Sequence, residues 1–313
     1  MTYALVFPGQ GSQSVGMLSA LAEQSSVVTD TFDEASQALG YDLWSLVQSG
    51  PEAELNQTQV TQPAMLTAGL AVYRALQAHT PLCPAMMAGH SLGEYTAMVA
   101  SGAMSLADGV LLVALRGRVM QSAVPEGQGA MAAVLGLTDE QVMAVCAKAT
   151  GVVEAVNFNA PGQVVVAGHK TAVEQALPAF EQAGAKRVVM LPVSVPSHCS
   201  LMASVEAEFA EALNQVSITP PQVPVVHNAT VESYDSVEKI KHALISQLSQ
   251  PVYWAQTVGY FKKHGVEAMY ELGPGKVLAG LNRRIDRKMG MQAVYDSATL
   301  NQSIRTLKDA SCN

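Results

Sequence analysis

Ala85-Met86-Met87-Ala88-Gly89-His90-Ser91-Leu92-Gly93-Glu94 is the stretch on which the reading of the fold turns. A small, apolar run at residues 85–88 predicts a buried strand, and a helical pattern begins at about residue 92. Between them lies Gly-x-Ser-x-Gly at residues 89–93, so the order is strand, sharp turn bearing a serine, helix: the setting of a nucleophile elbow. Small residues on both sides let the backbone turn there without a clash. A plainer reading makes Ser91 a helix N-cap, since Ser91-x-x-Glu94 is also a capping-box pattern. The two are compatible, because a helix start favours negative charge on a nearby oxygen.

Outward from this stretch, strand-like runs alternate with helical ones, which argues for an α/β fold. Residues 4–7 read as a short buried strand ending in Pro8-Gly9-Gln10-Gly11, with helical patterns at about 15–24, 26–39, 51–55 and 62–78. The elbow helix reaches about residue 101, and a helix at 106–122 opens on a second capping box, Ser105 with Asp108. The middle changes character. Residues 130–137 (strand), 139–149 (helix), 154–159 and 163–167 (strands), 171–183 (helix) and 186–192 (strand) predict a ferredoxin-like β-α-β-β-α-β unit. Asn159-Ala160-Pro161-Gly162 supplies a tight turn between its central strands. Beyond Pro196 the first style resumes: a helix at 199–214, a strand at 223–228, helices at 236–249 and 251–264, a strand at 268–272 and a helix at 276–284. The last twenty residues are given no element. The expected fold is a large α/β-hydrolase-like domain over residues 1–128 and 197–313, with a small ferredoxin-like α+β domain inserted at 129–196.

Charge narrows the functional classes. Among 313 residues, 18 Lys and Arg face 26 Asp and Glu, a net charge of −8, and charged residues are only 14%. No Lys, Arg or His precedes Arg74, whereas Glu23, Asp30, Asp33, Glu34, Asp42, Glu52 and Glu54 do. Nucleic-acid and anionic-membrane binding are disfavoured, because both need a cationic footprint. A hydrophobic content of 49% at low charge excludes intrinsic disorder and implies a large core. No run approaches the ~18 apolar residues of a membrane span. The apolar residues 3–7 lack a basic leader and stop at Pro8-Gly9, so no secretory signal is read and a cytoplasmic location is expected. Cys83, Cys146, Cys199 and Cys312 are scattered, which predicts reduced thiols and no metal site.

A serine nucleophile needs a base. Of seven histidines, His90 adjoins Ser91 and reads as structural, while His79, His242 and His264 read as surface. His169 follows a strand of the insert and His227 lies on a strand. His198 stands where the chain returns from the insert, at a domain join where clefts form, and is the leading candidate. Cys199 is the weaker alternative as nucleophile. Arg116 and Arg118 are the only basic residues between Arg74 and Lys148, and lie about 200° apart around one helix. The helical neighbours of Arg116 are Leu112, Val113, Val119 and Met120, so it must find a partner, either a protein carboxylate or a substrate carboxylate. Two glycine-rich stretches are rejected as nucleotide sites. Residues 9–14 have Ser14 where a dinucleotide fingerprint needs glycine, and Gly273-Pro274-Gly275-Lys276 lacks the first glycine and the Ser/Thr of a phosphate loop.

Seven motifs in order give the whole pattern: Phe7-Pro8-Gly9-Gln10-Gly11-Ser12-Gln13, Thr61-Gln62-Pro63-Ala64, Gly89-His90-Ser91-Leu92-Gly93-Glu94-Tyr95, Arg116-Gly117, Asn157-Phe158-Asn159, Pro196-Ser197-His198 and Gly273-Pro274-Gly275. Over nearly its full length the chain resembles the bacterial malonyl-CoA:acyl carrier protein transacylases of type II fatty acid synthesis. The resemblance implies Ser91 as nucleophile and His198 as general base, oriented by a backbone carbonyl at Gln247 rather than by an aspartate. It further implies an oxyanion hole from the backbone N–H groups of Gln10 and Leu92, and Arg116 holding the malonyl carboxylate with Gln62 lining its pocket. The implied substrates are malonyl-CoA and the phosphopantetheine thiol of acyl carrier protein, with no separate cofactor. An acyltransferase of polyketide synthesis, a serine thioesterase or hydrolase, and a binding module with a relic site are the alternatives. Lys262, Lys263, Lys276, Arg283, Arg284, Arg287 and Lys288 face only Glu267, Glu271 and Asp286, so this basic segment is the expected docking surface for an acidic carrier protein.

Overall fold

The computed structural model describes residues 1–311. The chain opens with β1 (Tyr3–Phe7), then α1 (Ser19–Gln24), α2 (Ser26–Leu39), α3 (Leu43–Ser49), α4 (Glu52–Leu55) and α5 (Thr58–Gln77). β2 (Met86–Gly89), α6 (Leu92–Ala100) and α7 (Leu106–Ser122) follow. The middle is β3 (Gly129–Leu135), α8 (Asp139–Cys146), β4 (Val153–Ala160), β5 (Gln163–His169), α9 (Lys170–Gln182) and β6 (Arg187–Met190). A 3-10 segment (Ser200–Val205) then leads to α10 (Glu206–Gln215), β7 (Val225–Val226), α11 (Val237–Ser246) and α12 (Trp254–Lys263). The chain ends with β8 (Ala268–Leu272), α13 (Val277–Ile285), β9 (Gly290–Val294) and α14 (Ser297–Ser311).

These elements form a mixed α/β fold with two separate sheets. Five strands in the order β7-β2-β1-β8-β9 pair in parallel throughout. A parallel sheet is covered on both faces, which explains why β1 and β8 are buried at every position. One face packs against α5 and α6, with α7 lying outside them, and the other against α12 and α13. Helix α5 is buried from Thr61 through Val72, which places it at the centre of the large core. The second sheet is antiparallel, in the order β4-β5-β3-β6, with α8 and α9 on one side and a core of its own. Its β4 meets the rest of the molecule where Phe158 N–H donates to the Val252 carbonyl at 2.9 Å.

Several elements depart from expectation. Residues 15–18 are turns, with Leu18 in the left-handed region, so α1 starts later than its apolar pattern. Helix α3 went unforeseen although Asp42 caps it, its carboxylate accepting from Ser45 N–H at 2.8 Å. Helix α5 starts four residues before the expected 62 and runs on through Pro63, which removes one N–H from its ladder. The expected helix at 199–214 divides into the 3-10 segment and α10, and the strand at 223–228 shrinks to β7. β9 and α14 fill the C-terminal part for which no element was foreseen. Among the described residues no helix is long and apolar enough to cross a membrane. Cys83, Cys146 and Cys199 are free thiols, and the expectation for Cys312 lies outside the described residues.

Candidate active site

The site sits at the carboxyl ends of β1, β2 and β7. Ser91 occupies a sharp turn with φ 52° and ψ −110°, a backbone conformation that costs a non-glycine residue about 1–3 kcal/mol. Gly89 and Gly93 make the turn possible. A Cβ on Gly89 would fall 1.9 Å from the Gly93 carbonyl carbon, and one on Gly93 would fall 2.1 Å from the Phe7 carbonyl oxygen. Asn228 holds the strained turn from outside: its Oδ1 accepts from Ser91 N–H at 2.8 Å and its Nδ2 donates to the Gly89 carbonyl at 2.7 Å. Gln247 Nε2 donates to the Ser91 carbonyl at 2.9 Å. The capping-box reading of Ser91 and Glu94 fails, because Ser91 makes no side-chain cap bond and Glu94 points into the protein.

His198 stands against the Ser91 hydroxyl. Its Nε2 lies 2.7 Å from Ser91 Oγ and its Nδ1 lies 2.7 Å from the Gln247 carbonyl oxygen. A carbonyl can only accept, so Nδ1 carries the hydrogen and Nε2 accepts from the Ser91 hydroxyl. Gln247 stands just past α11, where the last carbonyls have no partner inside the helix, and one of these orients the imidazole. Burial, with Arg116 adding to it, pushes the His198 pKa down to about 3. The imidazole is therefore neutral and ready to accept a proton throughout the physiological range.

Arg116 lies on the buried face of α7, 1% exposed, while Arg118 faces solvent. Its Nη1 donates to Gln62 Oε1 and its Nη2 to Gln247 Oε1, each at 2.9 Å, and Nη2 stands 3.4 Å from Ser91 Oγ. The guanidinium lies over the Tyr95 ring at 5.2 Å, and its buried Nε has no partner. No carboxylate forms an ion pair with it among the described residues; the ion pairs there are Arg74–Glu34 and Lys262–Asp286, and Glu94 is hydrogen-bonded to the His227 imidazole. Two neutral amides hold a buried cation in place without neutralising it. Burial pulls its pKa below the ordinary value, opposed in part by Tyr95 and Glu94. Such a site attracts an anion beside a nucleophilic oxygen.

Leu92, the first residue of α6, and Gln10, in the loop after β1, have backbone N–H groups with no acceptor among the described residues. That loop presses on the elbow, since a Cβ on Gly9 would come 2.5 Å from the His90 carbonyl oxygen. The geometry thus joins Ser91, His198, Arg116, Gln62 and Gln247 in one hydrogen-bonded group, with Gln10 and Leu92 at its edge. Hydroxyl, base, open N–H groups and uncompensated guanidinium together can carry out acyl transfer on an anion-bearing acyl group.

The remaining candidates sort cleanly. His79, His169, His242 and His264 are exposed, and His90 is tied to Asn159 Oδ1 at 2.7 Å beside Trp254. Cys199 is buried with its thiol pushed up to about 12 by desolvation, unsuited to act as a nucleophile. The turn after β8 is no phosphate loop: Glu271 occupies the start of α13, accepting from Leu278 N–H at 3.0 Å and Ala279 N–H at 2.9 Å. Asn228, Glu94 and His227 are site components that sequence reasoning missed. On the surface all seven basic residues from Lys262 to Lys288 are exposed, while Glu271 is buried and Asp286 pairs with Lys262 at 2.7 Å. Arg283, Arg284 and Arg287 line a depression of about 560 Å³ with Gly280.

Comparison with known proteins adds identity at the level of family. The acyl transferase domain family matches residues 4–300. The malonyl CoA-acyl carrier protein transacylase of Escherichia coli O157:H7 is 55% identical over 300 residues, spanning 95% of this chain and 97% of that protein. An acyl carrier protein S-malonyltransferase structure from Vibrio cholerae superposes with a TM-score of 0.95 at 51% identity, covering 97% of this chain and all of that one (100%). A malonyl-transacylase in complex with its type II PKS acyl-carrier protein superposes with a TM-score of 0.96 at 49% identity, covering 98% of this chain and 100% of that one.

Proposed function

The chain belongs to the acyl transferase family that includes the malonyl-CoA:acyl carrier protein transacylases, and on that premise we propose that it moves malonyl groups from CoA to the pantetheine thiol of acyl carrier protein through a malonyl-Ser91 intermediate. The observation that carries this reading is Arg116: buried, without an anionic partner, and 3.4 Å from Ser91 Oγ. The malonyl carboxylate is the missing anion. A bidentate carboxylate clamp fits the guanidinium, and Gln62 and Gln247 aim it.

In the first half-reaction Ser91 Oγ attacks the thioester carbonyl while His198 Nε2 takes the hydroxyl proton. The N–H groups of Gln10 and Leu92 receive the oxyanion, and losing one such donor typically costs on the order of 10²–10³ in rate. The C–S bond breaks, the His198 proton passes to the sulfur, and CoA leaves as the thiol. The second half-reaction reverses these steps: the pantetheine thiol gives its proton to His198, attacks the malonyl ester, and Ser91 leaves as the protonated hydroxyl. The thioester supplies the activation, so the chain needs no resident cofactor. A cytoplasmic location fits this chemistry.

The same reading takes residues 1–128 and 197–313 as one α/β-hydrolase-like domain, supported by the elbow on a parallel sheet. Residues 129–196 form the ferredoxin-like insert, supported by the strand order β4-β5-β3-β6. The exposed basic segment from Lys262 to Lys288 is the docking surface for the acidic carrier. Arg283→Glu with Arg284→Glu should slow transfer to the carrier several-fold and spare acylation of Ser91; an unchanged transfer rate removes that surface. Similarity to the type II PKS complex keeps a polyketide carrier as the second reading of the partner. The function itself is tested by mixing the enzyme with malonyl-CoA and pantetheine-loaded acyl carrier protein. Malonyl-carrier and CoA should form in equal amounts, whereas malonate released without regard to carrier would identify a hydrolase.

A further inference from the structure

Glu94 is the only charged residue of α6, and it is fully buried. A buried carboxylate is very costly unless hydrogen bonds satisfy it. Three donors do so: His227 Nδ1 at 2.7 Å, the Asn228 backbone N–H at 2.9 Å and Gln247 Nε2 at 2.8 Å. Asn228 holds the Ser91 turn, and Gln247 touches both Arg116 and His198. The carboxylate therefore lies one residue behind nucleophile, base and clamp, with no recorded contact to the reacting oxygen.

We propose that Glu94 is a positioning residue for malonyl selectivity, acting on Arg116 through the side-chain amide of Gln247. The amide has one workable direction. Its nitrogen faces only acceptors, namely Glu94 Oε2, the Ser91 carbonyl and Asn228 Oδ1, so its oxygen must face Arg116 Nη2. With Glu94 anionic, reversing the amide would set oxygen against carboxylate and nitrogen against guanidinium. The arrangement also settles a conflict of charge. A carboxylate directly on Arg116 would occupy the clamp, and none nearby would leave the cation buried without a counter-ion. Glu94 one amide away supplies the negative charge and leaves the outer face of the guanidinium to the substrate.

The inference rests on Arg116 as the malonyl clamp, and its test separates the two ideas. The measured quantity is the ratio of Ser91 acylation rates with malonyl-CoA and acetyl-CoA. Glu94→Gln keeps the shape but removes the charge, and should lower the ratio about tenfold, within the range of coupled contact networks. Gln247→Met, which cuts the link while leaving Glu94 in place, should lower it as well. Adding Glu94→Gln to Gln247→Met should then change it by less than about twofold. An unchanged ratio in Glu94→Gln, or effects that multiply in the double variant, would overturn the relay while a fall in Arg116→Ala keeps the clamp. An unchanged ratio in Arg116→Ala overturns the clamp and the relay with it. If Glu94→Gln does not fold, Glu94→Asp, which draws the carboxylate back from Gln247, takes its place: a fall in the ratio supports the relay, and no change ends it.

Discussion

Two strand-turn-helix units stand in the same parallel sheet, and both carry glycines in the turn and a buried glutamate. After β8, the Glu271 carboxylate precedes the turn and folds back onto the first N–H groups of α13. The helix start is thus occupied by the chain's own anion. After β2, Glu94 follows the turn and points away from it, toward His227, Asn228 and Gln247, and the N–H of Leu92 stays open beside Ser91. The same local architecture gives a corner sealed by the chain's own acid in one case and one with an open N–H beside a serine in the other. What separates them is where the acid stands relative to the helix start, since an open start favours a developing negative charge.

The largest expected effect is on the reactive turn. Ser91→Ala should abolish labelling by radioactive malonyl-CoA, a loss of at least about 10³-fold in transfer; label that persists would point to another nucleophile. Arg116→Ala comes next. Leaving out the partner of a buried charge costs about 2–5 kcal/mol, so malonyl transfer should fall far more than acetyl transfer. Equal losses for the two acyl groups would break the clamp assignment. Glu271→Gln probes the sealed turn, with a stability loss of about 1–3 kcal/mol read by chemical denaturation and an unaltered transfer rate per folded molecule. A change in rate without a change in stability would show that the two turns are not so different after all.

The smallest effect is one of pH. With the His198 pKa at about 3, the neutral base is lost only as pH falls through that value, so kcat/KM should show no inflection from this histidine near its ordinary value of about 6.5. The unfolded chain takes up that proton near pH ~6.5 and the native one only near 3, so stability should decline as pH drops through this window. An acidic limb near 6.5 that vanishes with His198→Ala would place the base in a wetter site than the hydrogen bonds imply.

Much of this was legible in the sequence because its signals were local. The elbow needs glycines at 89 and 93, and the Arg116 argument needs only apolar helical neighbours and one unexplained charge. The same argument applies to Glu94, the single charge in α6, but its capping-box spacing to Ser91 offered a local explanation that the structure does not use. Asn228 gave no signal, since its partners lie 137 and 139 positions away. Helix α14 was missed because its mostly polar sequence owes its place to packing by Leu300, Ile304 and Leu307 on the distant core.

The central claim is that Ser91 carries a malonyl group between two thiols. Intact-mass spectrometry after mixing with malonyl-CoA tests it most directly, with peptide mapping to locate the adduct. A single malonyl group should appear on Ser91 and disappear when pantetheine-loaded acyl carrier protein is added. An adduct on Cys199, or a malonyl-Ser91 that the carrier protein cannot discharge, would contradict it.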